Sequence, residues 1–280
     1  MKKNELPYFD ILLEEFQKQN TQITAMFGEH VHWGYWTAPE EDDHSTQSFS
    51  YATKNMVKTM CDLADIDNQQ SILDVGCGLG GTISYLNHHF LDSKIFGLNI
   101  DDRQLNHARR KLNHLNNNVI HLINADACQM PFKNCLFDRI LAIECIFHFH
   151  SRKTFLMTAK NLLKENGSIV ISDFIIKPVL KPGNIFFRYI KGKNSNPFGY
   201  MKFMTLPQYH QLAQELGLKL EINNINQNTL PTYPHLKKIA PALGFGKIKT
   251  LQVNLSIDWL HYLAKIGLST YQVLKSTKTE

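Results

Sequence analysis

The stretch Ser71-Ile72-Leu73-Asp74-Val75-Gly76-Cys77-Gly78-Leu79-Gly80-Gly81-Thr82 constrains the fold more than any other part of the chain. An apolar run ends in an acid, a glycine-rich turn follows, and residues 83–90 read as an amphipathic segment. This is the strand–turn–helix opening of a nucleotide-binding α/β unit. Glycines let the backbone turn tightly and approach a ligand with no Cβ in the way. The helix behind them offers unpaired N–H groups to a polar ligand. The glycines alone leave the ligand open, because Gly76, Gly78 and Gly81 also fit a dinucleotide loop. The neighbouring residues decide.

Leu73-Asp74-Val75-Gly76-Cys77-Gly78-Leu79-Gly80 resembles motif I of the class I methyltransferases that use S-adenosylmethionine. The resemblance continues in order through Gly97-Leu98-Asn99-Ile100, Asn124-Ala125-Asp126-Ala127, Met130-Pro131-Phe132, Phe137-Asp138-Arg139-Ile140 and Gly167-Ser168-Ile169-Val170. It covers residues 33–275 and is nearest to the small-molecule branch that modifies sterols, tocopherols, macrolide sugars and glycosylated natural products. It implies an α/β fold with a doubly wound, seven-stranded Rossmann-like sheet. In that arrangement residues 1–64 form an N-terminal helical lid, 65–176 the cofactor-binding core, 177–204 an acceptor-pocket insert after strand 5, and 205–280 the rest of the sheet, all in one domain. The implied cofactor is S-adenosyl-L-methionine. The motifs say little about the acceptor.

Composition bounds the alternatives. With 280 residues and 43% hydrophobic content the chain can bury a full core in one domain. A net charge of +5, spread along the chain, fits a solvated surface and leaves peripheral contact with an anionic surface as the minor alternative. No run of Lys and Arg argues for nucleic acid. Cysteines 61, 77, 128, 135 and 145 show neither CxxC nor zinc spacing, no metal-ligand cluster stands out, and a reduced cytoplasmic setting is expected. No stretch has signal-peptide or transmembrane character. The expected partner is a small-molecule acceptor, with the chain a monomer or a dimer.

Hydrophobic periodicity predicts helices over 6–27 and 45–64. Strands over 71–75, 94–98, 119–124, 137–143 and 168–172 then alternate with helices. Pro178, Pro182, Gly183, Pro197 and Gly199 break the rhythm of the insert. Its aromatics Phe186, Phe187, Tyr189, Phe198, Tyr200 and Phe203 imply an acceptor with apolar rings or chains. A helix to 216, a strand over 219–222, a polar Pro-rich insertion over 229–249, a helix over 253–264 and a closing edge strand over 269–275 complete the reading.

The resemblance also assigns site residues. Tyr35, in the aromatic run His32-Trp33-Gly34-Tyr35-Trp36, is placed over the methyl donor, where a sulfonium favours aromatic faces and a lid excludes water. Asp74, Gly76 and Gly78 form the loop, Asn99 is placed at the ribose, Gln104 is either a second ribose contact or an exposed polar residue of its helix, and Ile100 belongs to the cofactor set. Asn99 stands where family members commonly carry an acid, which also argues against a nicotinamide dinucleotide. Asp126, with the backbone of Ala127 and Cys128, is placed at the adenine, and Ile143 completes the cofactor set. Asp138 reads as structural. Glu144 and His148 match the Glu-x-x-x-His of this branch. His148 is the expected base, Asp173 is expected to hold or charge it, and Glu144 is the next candidate. His150 is expected to be exposed or to cap the next helix, and Arg152 to pair with a carboxylate. O-methylation is favoured. C-methylation of an alkene or aromatic ring, an inactive cofactor-binding protein and a nicotinamide dehydrogenase are the alternatives.

Overall fold

Strand β1 (Ser71–Val75) is buried along its whole length, as a central strand covered by helices on both faces must be. β2 (Lys94–Asn99) and β3 (Val119–Asn124) add in parallel on one side, and β4 (Phe137–Ala142) and β5 (Leu163–Ile176) on the other. β6 (Leu218–Asn224) and β7 (Ser269–Lys278) complete a seven-stranded sheet in the order β3-β2-β1-β4-β5-β7-β6. The order reverses between β1 and β4, and ligands of such sheets bind outside the carboxyl ends of the strands at that point. The computed structural model describes residues 7–113, 115–180, 202–243 and 246–279.

Helices cover both faces. One core cluster joins Phe137, Ile140, Phe155, Tyr209 and Leu274, and another joins Met56, Met60, Ile83, Leu105 and Tyr271. The helix Thr46–Leu63 delivers the chain to β1 and is capped by Ser45, whose side chain accepts the Ser48 N–H. A third cluster packs Leu12, Ile23, Phe27, Trp36 and Phe49 against Ile239, which fastens the N-terminal segment to the C-terminal part of the chain.

Four elements differ from the sequence expectation. Residues 6–27 contain two helices, Pro7–Gln17 and Thr21–Phe27, because Gln19 is left-handed (φ 55°) and Asn20 caps the second helix through the Ile23 N–H. β5 runs well past 168–172 in both directions. The Pro-rich stretch 229–249 is largely helical, with Asn226–Thr229, Thr232–Ala242 and the start of Lys247–Lys265. Its prolines sit where no backbone donor is lost or the helix is ending: Pro231 at the N-cap, Pro234 in the first turn and Pro241 in the last. Finally, β7 is not an edge. It runs antiparallel between β5 and β6, with Val273 and Leu274 fully buried, and β6 takes the edge.

The chain recrosses the carboxyl ends of the strands after the insert, where Lys202 N–H donates to Phe147 O (3.0 Å) and Ile176 N–H to Met204 O (3.1 Å). Phe186, Phe187, Tyr189, Phe198 and Tyr200 lie outside the described residues. Among the described residues no helix is long and apolar enough to cross a membrane.

Candidate active site

The glycine turn is left-handed at Gly76, Gly78 and Gly80, with φ of 76°, 53° and 90°. A Cβ on Gly76 would meet Cys145 Cβ at 2.6 Å, whereas one on Gly78 would meet nothing closer than Gln104 Oε1 at 3.7 Å. Gly76 is thus required by packing, and Gly78 by backbone conformation alone, since a Cβ there would make only ordinary contacts. Asp74 is 1% exposed. Burial raises its pKa to about 7, the Thr82 hydroxyl pulls the other way, and its Oδ2 has no protein partner.

The N-terminal segment lies directly on this turn. A Cβ on Gly81 would strike Glu29 O and His30 Nδ1, each at 2.5 Å. Burial drops the pKa of His30 to about 3 and of His32 to about 4, so both rings are neutral. His32 Nδ1 faces Trp33 O at 2.9 Å. A carbonyl only accepts, so Nδ1 carries the proton and the buried Nε2 is a lone pair with no partner.

The ends of β2 and β3 carry the next polar groups. Asn99 donates its amide to Gln104 Oε1 (3.1 Å) and to Asp101 O (3.3 Å), and both side chains are buried. The pair keeps one acceptor, Asn99 Oδ1, while Gln104 also hydrogen-bonds the Asp101 carboxylate, which leaves one Nε2 hydrogen. Ile100 follows half-buried, and Asn124 ties β3 to this corner by donating to Asn99 O and Ile100 O. Asp126 accepts the Cys128 N–H on Oδ1 (2.7 Å), while its Oδ2 lies 3.6 Å from His150 Nδ1 and the side chain is 37% exposed. It is both a turn residue and an outward-facing carboxylate. Ala127 and Ile143 are buried beside these groups.

Beyond β4 the polar side chains close on one another. Glu144 adopts a left-handed backbone (φ 51°). Its Oε1 accepts from Trp33 N–H (2.6 Å) and from the Tyr271 hydroxyl (2.7 Å), and Tyr271 also reaches Ser172 Oγ (2.9 Å). Burial lifts the Glu144 pKa to about 8, with both donors pulling it down. His148 ends the short turn Ile146–His148, half-buried, with its ring edge-to-face on Phe147.

Asp173 does not meet the expectation of a partner for His148. It is fully buried, and its Oδ2 accepts from Arg152 Nη2 (2.8 Å), Arg152 Nε (3.1 Å) and the Tyr209 hydroxyl (2.5 Å). Its Oδ1 takes the Phe174 N–H (2.8 Å). A carboxylate so occupied anchors the helix Arg152–Leu162 and the helix Leu206–Leu216 to β5. Arg152 therefore finds the carboxylate that the sequence called for. Asp138 is structural as expected, holding Ser71 N–H (2.8 Å) and Lys164 Nζ (2.7 Å). His150 is exposed, and the cap of the next helix is Ser151 instead.

In the aromatic run, Trp33 packs at the strand ends against Phe174, Tyr233 and Tyr271, with ring centroids 4.9, 4.5 and 5.9 Å away. Trp36 is buried and stacks on His235. Tyr35 is half-buried against the second core cluster, with its N–H on Ala52 O. Sequence reasoning missed Tyr271, Ser172 and the two buried histidines. A correct placement of β7 beside β5 would have revealed Tyr271, which sits opposite Phe174. Two groups of possible metal ligands also converge, Asp42 with His44 and His235, and Asp126 with Cys128 and His150.

Comparison with known proteins identifies the family. A methyltransferase domain family matches residues 73–171. An O-methyltransferase of Pyrenophora dematioidea is 30% identical over 272 residues, covering 92% of this chain and 98% of that one. Methyltransferase GfsG of Streptomyces halstedii is 27% identical over 221 residues, 78% of this chain and 77% of its own. The fold is that of the cyclopropane synthase MmaA2 from Mycobacterium tuberculosis, with a TM-score of 0.75, 14% identity, and coverage of 99% and 100%. A strand-ended acid, a left-handed glycine turn and polar groups at the next two strand ends thus occur in a chain that matches named methyltransferases over 77% and 98% of their length. The chain belongs to the class I S-adenosylmethionine-dependent methyltransferases of the small-molecule type.

Proposed function

We propose that the enzyme methylates a hydroxyl oxygen of a small, partly apolar molecule and that His148 accepts the proton. The observation that carries this reading is the position of His148, at the end of the turn that follows β4 at the carboxyl end of the sheet, four residues beyond Glu144. Relatives named as O-methyltransferases favour oxygen.

The residues fit the cofactor. Asp74 offers a buried carboxylate oxygen with no protein partner, and the left-handed Gly76 and Gly78 hold the turn beside it without side chains. Asn99 Oδ1 and Gln104 Nε2 match two adjacent hydroxyls, one donating and one accepting, and Asp126 Oδ2 can accept an exocyclic amine. When bound, the cofactor supplies an electrophilic methyl group for in-line displacement. The protein's tasks are alignment, exclusion of water and removal of one proton. Trp33 and Tyr35 lie on the segment laid over the glycine turn, and that segment shields the site. Residues 177–204 shape the acceptor pocket in this reading. Five unpaired cysteines fit a reducing, cytoplasmic setting.

His148→Ala tests the assignment. It lowers kcat by about 10²–10⁴-fold, the usual worth of a general base, and leaves cofactor affinity nearly unchanged. Wild-type activity rises with pH through the pKa of the histidine if the acceptor is an oxygen. A flat profile turns the reading to a carbon acceptor, and full activity of His148→Ala removes His148 and brings Glu144 forward.

A further inference from the structure

Half of the large apolar side chains exposed among the described residues fall in one short span. Ile248, Leu251, Leu255, Trp259, Tyr262 and Ile266 are 78, 60, 60, 41, 54 and 49% exposed. They succeed one another by three or four residues, so they form one stripe along the helix Lys247–Lys265 and its C-terminal end. The opposite face is also apolar and already occupied: Ile257, Leu263 and Ala264 are buried, and Val253 and Leu260 pack against Tyr233 and its neighbours. A helix that is apolar on both sides is normally covered on both, and a contiguous exposed stripe marks an interaction surface.

The charges around the stripe select its partner. Lys247, Lys249 and Lys265 lie on the same helix. Its one acid, Asp258, is neutralised by Lys237 at 2.8 Å. At the C-terminal end, Lys177 N–H donates to Leu268 O (2.9 Å), which brings exposed Lys177 and Val179 (70% exposed) to the same corner. A second copy packed antiparallel on the stripe would set Lys247 and Lys249 against the copy's Lys265, a repulsive match. We propose that this helix docks the enzyme on an anionic lipid bilayer, with the stripe in the interface and the lysines among the headgroups. An apolar face with Trp and Tyr, flanked by basic residues, is the chemistry of a helix lying in a membrane interface.

The docked face is close to the site. His261 of the helix stacks on Tyr233 (4.8 Å), Tyr233 packs on Trp33 (4.5 Å), and Trp33 N–H holds Glu144 (2.6 Å). Docking places the lid segment two rings from the lipid, where an apolar acceptor partitions. This last step rests on the proposed apolar acceptor; the docking itself does not.

Sedimentation of the full chain with phosphatidylcholine vesicles, with and without phosphatidylglycerol, tests the proposal without cofactor or acceptor. Binding is expected to the anionic vesicles, weakening with salt and by roughly fivefold for each of Lys247→Gln and Lys265→Gln. The double variant Leu251→Glu/Leu255→Glu loses vesicle binding and keeps cofactor binding, which shows that it is folded. Absence of wild-type binding overturns the proposal, as does unchanged binding of the double variant. A dimer in sedimentation equilibrium that the double variant dissolves also overturns it and makes the stripe a self-interface. None of these outcomes bears on methyl transfer, so the two readings fail separately.

Discussion

The two sides of the switch point are built by different rules. Around β1 to β3 the polar groups are left partly unmet: Asp74 Oδ2 and His32 Nε2 have no partner, and Asp126 keeps one oxygen outward. Around β4 to β7 most are consumed by one another, with Asp173 taking Arg152 and Tyr209, and Glu144 taking Trp33 and Tyr271, while Gln272 Oε1 on β7 alone stays unmet among the described residues of these strands. A surface with unmet polar groups is suited to a ligand that always has the same donors and acceptors. A closed network fixes positions and leaves recognition to whatever lines the space above it. Under the proposed function, the first side is a socket for the cofactor and the second a rigid floor beneath the acceptor.

Removing the centre of the floor gives the largest expected effect. Arg152→Ala leaves the Asp173 charge buried without its cation, which costs about 3–5 kcal/mol of stability in denaturant unfolding. If the comparison holds, the surviving folded fraction binds cofactor normally; a parallel loss of cofactor affinity would merge the two sides. Next, Asp126→Ala weakens the cofactor about 10–100-fold in calorimetric titration, the worth of about 1–3 kcal/mol for a lost polar partner, with stability little changed. Unchanged affinity removes Asp126 from the socket.

The third prediction uses pH. Buried acids with raised pKa values bind more protons folded than unfolded, so stability falls as pH rises toward the folded pKa. Buried neutral histidines have the opposite sign, and their contribution is complete once pH exceeds the unfolded value. Between about pH 4 and 6.5 the acids Asp74 and Glu144 oppose His30 and His32. From there to about pH 8 only the acids titrate, and the cofactor-free enzyme loses roughly 1–2 kcal/mol. Asp74→Asn removes the lower part of that decline, and a wild-type curve that is flat over the same window contradicts it. Smallest is Tyr271→Phe, about 1 kcal/mol net for loss of the buried contacts to Glu144 and Ser172. Amide exchange at Trp33 reads it directly, since Glu144 then loses one of its two donors and the lid contact loosens.

How much of each side could be read from the sequence follows from the same contrast. Asp74, the glycines, Asn99 and Asp126 lie at strand ends followed at once by their turns, so their roles are carried by neighbours in the chain. The position of Glu144 and His148 just beyond β4 is legible for the same reason. Asp173 was misassigned because its partners lie 21 and 36 residues away on separate helices. Tyr271 meets Glu144 across 127 residues, through an antiparallel strand whose place in the sheet no local pattern announced. The prolines of 229–249 read as breaks because a proline in the first turn of a helix looks, in sequence, the same as one that ends it.

The position of β7 between β5 and β6 has a consequence for biosynthesis. The strands that carry the socket, and β4 and β5 after them, leave the ribosome before β7, so the parallel half can assemble while translation continues. Until β7 arrives, β5 presents an open edge of the kind that invites association with other chains, and β6 has no neighbour. On the proposed donor site, every residue assigned to the donor is made before Tyr271, and donor present during translation would shield the early half while the late strand is threaded in.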